Sequence, residues 1–420
     1  MKRILARLIE SLTSAPFAIL LIAGAVSERP SLAAEPKLEV KWTKTNGGYY
    51  PAFSPDSRLI LGHQDRQISV YSAKDGAVVN AFTDPDSTSP ESRTSFSADS
   101  LLIGFIGITD VRLLRVSDGS VAATLQSARQ DKVIFSPDGE LVATIRDNDV
   151  RLWRVKDGQY VRALGISGYT PYAFGFSSEG RLAALGNNDG SITVWRVADG
   201  KLVYELNPNP PGGWMGRWVG SLAFSPDGEK IAAGYTGGYG IPSWPEVPGF
   251  VRLWEVATQK ALWSRTNTTR VMGNGFYHLA FSSEGSFVVA ADSTKPLLWF
   301  LRTSDGAVSF YDVRDPDPEL DNQRTGAMTI SPDGKSIAYM VHASKFTVAK
   351  MPLIITGIQQ QDVQVVIRWV GGDERYQVQQ RSQLASGVWE NIGSPTTSNS
   401  STNAASGTMF YRVVGLPEGN

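Results

Sequence analysis

The chain has 420 residues, of which 42% are hydrophobic and 19% are charged, and its formal net charge is −1. Its 41 glycines and 23 prolines are more chain-reversal residues than a helical protein uses, which indicates a folded, turn-rich β protein. The absence of cysteine excludes disulfides, thiolate metal sites, a cysteine nucleophile and the sulfur of a lipoprotein anchor. The charge balance disfavours a nucleic-acid partner, whose binding depends on neutralising phosphates.

Residues 1–34 have the layout of a secretory signal peptide. A lysine and two arginines within the first seven residues precede an apolar run at 15–26, and small residues follow in "SLAAEP". A membrane anchor is the alternative, but this run is shorter than the roughly 20 residues that a spanning helix needs. We expect cleavage after Ala34, or else after Ala25. The mature protein is then periplasmic or extracellular, without stable membrane insertion.

A five-residue phrase recurs seven times after this segment. The copies are "FSPDS" from Phe53, "FSADS" from Phe96, "FSPDG" from Phe135, "FSSEG" from Phe176, "FSPDG" from Phe224, "FSSEG" from Phe281 and "ISPDG" from Ile330. Successive copies are 43, 39, 41, 48, 57 and 49 residues apart, which is the period of propeller blades. Each copy is followed by an apolar stretch, a turn, a second apolar stretch, an Asp-Gly-like corner and a third stretch. The pattern predicts four short strands per copy.

The phrase has the residue types of a tight turn between two strands. In the third copy, Pro137 fixes its own backbone, Asp138 tolerates the next turn position, and Gly139 takes a left-handed conformation at little steric cost. A second corner, such as "KDG" at 156–158, uses the same chemistry between the third and fourth strands. Because both corners are fixed by residue type, we expect the strand register to be fixed as well.

The stretch "FSPDGELVATIRDNDVRLWRVKDGQYVRAL" resembles a WD40 repeat, and similar stretches cover residues 49–353. The resemblance implies an all-β fold, a seven-bladed β-propeller of four-stranded blades, over residues 35–356. The strand-like segment "LEVKW" at 38–42 precedes the first full repeat, whereas the seventh repeat offers only three strands. We expect this segment to supply the closing strand of the seventh blade, which would remove an exposed edge.

Residues 357–420 lack the turn phrases and predict a small, sandwich-like C-terminal β domain. The series Trp369, Tyr376, Trp389 and Phe410-Tyr411 resembles a fibronectin type III-like module. The segment is shorter than the roughly 100 residues of a full sandwich. A stabilising cap on the propeller is the alternative.

The long insertions fall between strands whose connections emerge on one face of a propeller. They are 207–220, 234–250, 266–278 and 312–326. Loops on a rigid scaffold are a usual place for binding, and exposed Trp and Tyr favour interfaces. The alternative is that the rings, Tyr235 and Phe250 among them, pack the loops onto the propeller. The candidate binding residues are Trp214, Trp218, Tyr239, Trp244, Phe276 and Tyr277.

Other polar groups carry weaker signals. The acidic residues from Asp312 to Asp321 do not have the spacing of a calcium loop. Three histidines, His63, His278 and His342, map to the loop-rich face, where isolated histidines are more often structural than metal ligands. Arg112, Arg151 and Arg252 recur at one position of the third strand, which favours a structural pairing between blades. We expect neither a metal nor a cofactor.

These patterns favour a monomeric, non-catalytic scaffold that binds a protein or peptide partner through the loop-rich face around the fifth blade. No motif of a known catalytic constellation is present in the sequence. A carbohydrate-binding protein that stacks sugars on Trp214, Trp218 and Trp244 is the first alternative. A propeller hydrolase or lyase that uses His278 and acidic loop residues is the second.

Overall fold

The chain folds into two compact units. Their boundary lies between Ala349 and Lys350, and the larger unit is Ala34–Ala349. The proposed signal segment, 1–34, lies outside the described residues. The computed structural model describes residues 37–45, 47, 49–64, 67–83, 95–107, 109–126, 132–146, 149–164, 171–206, 218–237, 248–266, 275–293, 295–313, 326–342, 345–361, 364–371, 375–381, 388–398, 400–404 and 410–416.

The described part of the larger unit consists of short antiparallel strands joined by turns and loops, and it contains no helix. Accordingly, no described helix could cross a membrane. In chain order the strands are β1 (Val40–Lys44); β2 (Tyr49–Phe53), β3 (Leu59–Gln64), β4 (Gln67–Ser72) and β5 (Val78–Thr83); β6 (Leu102–Ile106), β7 (Val111–Arg115) and β8 (Val121–Leu125); β9 (Lys132–Phe135), β10 (Leu141–Arg146), β11 (Asp149–Arg154) and β12 (Tyr160–Leu164); β13 (Pro171–Phe176), β14 (Leu182–Asn187), β15 (Ile192–Arg196) and β16 (Lys201–Leu206); β17 (Val219–Phe224), β18 (Lys230–Tyr235), β19 (Phe250–Glu255) and β20 (Ala261–Thr266); β21 (His278–Phe281), β22 (Phe287–Asp292), β23 (Leu297–Arg302) and β24 (Val308–Asp312); β25 (Met328–Ile330), β26 (Ser336–His342) and β27 (Lys345–Lys350).

These strands form seven antiparallel sheets, which we number in chain order from β2. Sheets 1 and 3 to 6 each contain four consecutive strands. Sheet 2 contains β6, β7 and β8, and an isolated bridge between Phe96 and Ile103 marks the place of a first strand. Sheet 7 has the order β1-β27-β26-β25, so the N-terminal strand is its outer strand.

The recurring phrase forms the turn between the first and second strand of each sheet. Its serine is buried in every copy, and the hydroxyl accepts a hydrogen bond from the backbone N–H five residues further on. In six copies the same hydroxyl donates to the carboxylate two residues on. The turn is therefore held by a side chain as well as by backbone geometry.

Neighbouring sheets pack face to face through apolar residues. Ala143 and Leu152 of sheet 3 pack against Phe174 and Trp195 of sheet 4, and similar clusters join sheets 1 and 2, 2 and 3, 4 and 5, and 5 and 6. First strands also contact one another: β13 with β17, β17 with β21, β21 with β25, and β25 with β2. Sheet 7 thus contacts both sheet 6 and sheet 1. Repeated antiparallel sheets that pack in this way fit a β-propeller.

The smaller unit contains two three-stranded antiparallel sheets with the orders β28-β29-β32 and β31-β30-β33. A shared apolar cluster includes Ile367 and Trp369 of one sheet and Tyr376, Val378 and Tyr411 of the other. The Tyr376 hydroxyl donates to the carbonyl of Gly371 at 2.8 Å. The strands are β28 (Ile354–Gln361), β29 (Gln364–Val370), β30 (Arg375–Arg381), β31 (Glu390–Thr396), β32 (Ser400–Ala404) and β33 (Phe410–Leu416).

Candidate binding site at the rim

The candidate aromatic residues have different environments. Trp214, Tyr239 and Trp244 lie outside the described residues. Trp218 and Tyr277 are half-buried, each just before the first strand of its sheet. Phe276 is fully buried. Among the described candidates, then, Trp218 and Tyr277 are the rings that retain solvent exposure.

Three of the aromatic residues near the long insertions belong to the core. The Phe276 ring packs edge-on against Trp299, with centroids 5.0 Å apart. Tyr235 and Phe250 are paired strand neighbours whose rings stack at 4.2 Å and 10°. Burial raises the pKa of the Tyr235 phenol. The rings of these three residues are therefore removed from solvent and pack within the sheets.

The rim is the end of the sheets at which the first strands begin. Side chains with rings occupy this position in sheets 1, 4, 5 and 6, and each lies within or directly before the first strand. We call this set the rim rings. They are Tyr50, Tyr172, Trp218, Tyr277 and His278.

The pair Tyr172 and Trp218 joins sheets 4 and 5. Their rings stack with centroids 5.5 Å apart and an angle of 28°. Tyr172 is 44% exposed, although it belongs to a first strand whose next residues, Ala173 and Phe174, are buried. The Lys132 ammonium of sheet 3 donates a hydrogen bond to the carbonyl of Tyr172. The pair therefore presents aromatic surface to solvent beside a cationic group.

Trp218 is held in place through its backbone. Its N–H donates to the Thr236 hydroxyl at 3.2 Å, and its carbonyl accepts from the N–H and hydroxyl of Thr236 at 3.1 and 3.3 Å. Thr236 is itself fully buried. Gly220 then allows the next ring to approach, since a Cβ on Gly220 would lie 3.2 Å from Cδ1 of Tyr277. The backbone that carries the Trp218 ring is thus fixed before any ligand binds.

Register shifts accompany the rim rings of sheets 1 and 4. The pairing of β13 with β14 slips between Pro171 and Ala173, and that of β2 with β3 slips between Tyr49 and Ala52. Tyr172 and Tyr50 lie inside these two register shifts. Irregularities of this kind redirect side chains at the ends of sheets. Tyr50 also has a φ of 50°, which is uncommon for a residue other than glycine.

His278 and Tyr50 link sheets that are not consecutive in the chain. Their ring centroids are 5.9 Å apart, although sheet 7 lies between sheets 6 and 1 in the packing order.

His63 is buried and its ring lies 6.5 Å from that of Phe105, whereas His342 ends β26. Within the described ranges, no group of three or more His, Asp or Glu side chains could hold a metal.

The recurring arginines make contacts within their own sheets. Arg252 lies over the rings of Phe250 and Trp254, at 5.1 and 5.4 Å, and its Nε donates to the Ser264 hydroxyl at 2.6 Å. Burial lowers the pKa of its guanidinium. Arg112 lies 3.2 Å from the Asp110 carboxylate. These contacts of Arg252 and Arg112 lie inside their own sheets, and a pairing between sheets stays a prediction.

Sequence reasoning from the long insertions missed Tyr50 and Tyr172. Neither residue lies in an insertion, so the search for elaborated loops did not reach them. Aligning the seven phrases would have found both, because they stand three and four residues before Phe53 and Phe176. His278 and Tyr277 hold the corresponding places before Phe281.

Comparison with known proteins gives one local likeness. No family model matches the chain. The chain is 38% identical over 76 residues to apoptotic protease-activating factor 1 of Homo sapiens, a protein that contains WD40 repeats. The match covers 18% of this chain and 6% of that protein's length.

The repeated antiparallel sheets and this local likeness fit a WD40-like β-propeller. Among the rim rings, Tyr172 is exposed and Trp218 is half-buried, so both retain surface that a partner could contact.

Proposed function

We propose that this protein is a non-catalytic, exported scaffold that binds a protein or peptide partner at the rim, without a metal or cofactor. The observation that carries the proposal is the stacked pair of Tyr172 and Trp218. One ring is 44% exposed, and the backbone of the other is fixed by Thr236. Aromatic anchors in fixed positions supply much of the free energy of binding at protein interfaces.

The proposal includes a specific architecture. The seven sheets are the blades of a closed seven-bladed propeller, and β1 supplies the closing strand of the last blade. Support comes from the pairing of β1 with β27 and from the cluster that joins Phe53 and Ile60 of sheet 1 to Ala338 and Phe346 of sheet 7. A closed ring gives the rim a fixed circumference, so residues on different blades keep constant distances.

We further propose that residues 1–34 direct export and that the smaller unit is a fibronectin type III-like module. The charge and apolar pattern of the N-terminal segment supports export. Two facing three-stranded sheets with a common core support the second assignment. An exported interaction scaffold would meet its partner in the periplasm or outside the cell.

The test is affinity capture from an extracytoplasmic fraction with tagged wild-type protein beside a Tyr172→Ala/Trp218→Ala variant. We expect the variant to lose most of the captured protein partner, because both aromatic anchors are removed. The matched control is Tyr160→Ala. Tyr160 is 53% exposed and its ring also contacts a tryptophan, Trp153, but it lies on the outer strand β12.

Three results would contradict the proposal. The first is equal capture by wild-type protein and the double variant. The second is capture of polysaccharide instead of protein, with loss in the double variant, which would favour the carbohydrate-binding alternative. A hydrolytic activity abolished by His278→Ala would instead favour the enzyme alternative.

A further inference from the structure

Resting on the proposed function, we infer that the rim binds an extended, proline-containing peptide segment that carries an acidic residue. The site is the surface formed by Tyr172, Trp218 and Tyr277, with Lys132 at one end. Neighbouring sheets supply these residues in the order 3, 4, 5 and 6. Tyr172 stacks on Trp218, and a Cβ placed on Gly220, two residues after Trp218, would lie 3.2 Å from Cδ1 of Tyr277.

Three hydroxyl groups near the rings make hydrogen bonds within the protein. The Thr236 hydroxyl bonds the backbone of Trp218, and the Ser221 hydroxyl donates to the carbonyl of Phe276 at 2.6 Å. In the adjacent loop of sheet 4, Ser191 donates to Asp189 at 2.7 Å and accepts from Asn187 at 3.0 Å. The described surface therefore offers mainly flat aromatic faces for recognition.

This chemistry favours proline over a sugar. A sugar ring carries hydroxyls that lose their water on binding and need polar partners, whereas the hydroxyls of Thr236, Ser221 and Ser191 already make hydrogen bonds within the protein. A proline ring is apolar and its residue has no N–H to satisfy. Proline-rich segments also keep a preformed extended helix, so little conformational entropy is lost when they dock on aromatic surfaces.

The acidic residue is inferred from Lys132. Its ammonium contacts the backbone of Tyr172, the most exposed of the rim rings, so positive charge lies at the edge of the aromatic surface. A carboxylate next to the bound prolines would be complementary to this charge. Complementary charge sets the orientation of a peptide and the rate of its association more than its final affinity.

The experiment measures fluorescence polarisation of labelled peptides with the full-length chain. The probe is a run of eight prolines between pairs of glutamates, and we expect saturable binding. Tyr172→Ala and Trp218→Ala should each weaken binding at least tenfold, whereas the control Tyr160→Ala should leave it unchanged. Lys132→Glu should shift the preference to a probe with lysines in place of glutamates.

Several outcomes would overturn the inference. Equal binding of a probe whose prolines are replaced by alanines would show that proline is not recognised. Unchanged binding by Tyr172→Ala would place the peptide elsewhere, and thermal unfolding of each variant identifies a loss that comes from misfolding. If the probe fails to bind while affinity capture still depends on Tyr172 and Trp218, the inference is wrong and the proposed scaffold function stands. If both experiments fail, both are wrong.

Discussion

The serine of the recurring phrase stabilises the turn between the first and second strands through its hydroxyl group. In the third copy, Ser136 accepts from the N–H of Leu141 at 2.9 Å and donates to the Asp138 carboxylate. The equivalent serines of sheets 1 and 5 donate to Asp56 and Asp227. Burial tends to raise the pKa of these two carboxyls, but bonds from the serine and the backbone, with nearby positive charge, outweigh it and hold each pKa below its usual range.

The phrase of sheet 4 allows this role to be tested with two adjacent serines. Ser177 is 6% exposed and accepts from the N–H of Leu182 at 3.0 Å, whereas Ser178 is exposed. Ser177→Ala leaves that N–H without its partner, and we expect a loss of about 1–3 kcal/mol in the free energy of unfolding. Chemical denaturation measures it. Ser178→Ala is the control and should change stability by less than about 0.5 kcal/mol. Similar losses in both variants would contradict the role.

The last position of the recurring phrase, three residues after its serine, shows how far the turn conformation can be predicted from the sequence. Five of the seven copies place glycine there, and all five glycines have positive φ. The other two have Ser57 and Ser100, at φ 63° and 64°. Each hydroxyl accepts from a backbone N–H in the neighbouring sheet, from Asp333 at 3.0 Å and from Asp56 at 3.2 Å. The turns follow from local residue types, but these bonds depend on packing between sheets.

At the scale of elements, β1 shows what one added strand contributes. Trp42 contacts Phe346 of its own sheet with centroids 5.6 Å apart, and its Nε1 donates to the carbonyl of Ala73 in sheet 1 at 3.1 Å. A Cβ on Gly76 would lie 2.8 Å from the indole, and Gly76 has a φ of 72°. Gly76 therefore allows the turn between β4 and β5 and also leaves room for the Trp42 ring.

We expect Trp42→Ala to lower the free energy of unfolding by about 2–3 kcal/mol. The value is below the roughly 3–5 kcal/mol of a fully buried tryptophan because Trp42 is half-buried. Thermal and denaturant unfolding would measure the loss. Val40 lies on the same strand and is 52% exposed, so Val40→Ala is the matched control with little expected effect. If the two variants lose equal stability, the indole does not join sheets 7 and 1 as the structure indicates.

The strands also show which elements could be predicted from the sequence. The alternating strands and the two corner types are local, so the strands of sheets 1 and 3 to 6 follow from residue types. Sheet 2 has a bridge at Phe96 where its first strand is expected. The residues before it, "SPESRTS", include a proline and are otherwise polar. They show no alternation of apolar and polar positions. The phrase alone was thus insufficient to predict a full first strand.

At the scale of the molecule, the candidate site depends on distances that the sequence does not contain. Tyr172 and Trp218 are 46 residues apart in the chain, and Tyr50 and His278 are 228 apart, yet both pairs are in ring contact. The blade period predicts that such positions share one end of the sheets. Which rings are buried, such as Phe276, and which remain at the rim is set by packing between sheets.

The division into two units can be tested by shortening the chain. The sequence pattern changes after residue 356, whereas contacts divide the chain after Ala349. The difference has a structural reason, because Pro352 packs with the smaller unit: a Cβ on Gly371 would lie 2.2 Å from the Pro352 carbonyl oxygen. Residues after Lys350 are therefore expected to be dispensable for the propeller.

A chain of residues 35–350 should fold, because it retains all the strands of sheets 1 to 7. We expect its circular dichroism spectrum to be rich in strand, and its thermal midpoint to equal that of the larger unit in the full-length protein. A chain of residues 35–344 is the matched control. It lacks β27, which pairs with both β1 and β26 in sheet 7, so the closing strand loses its neighbour. We expect it to aggregate or to elute as an expanded species in size-exclusion chromatography. Equal folding of both chains would show that β27 is not needed for the larger unit to fold, and failure of both would show that the larger unit depends on the smaller one.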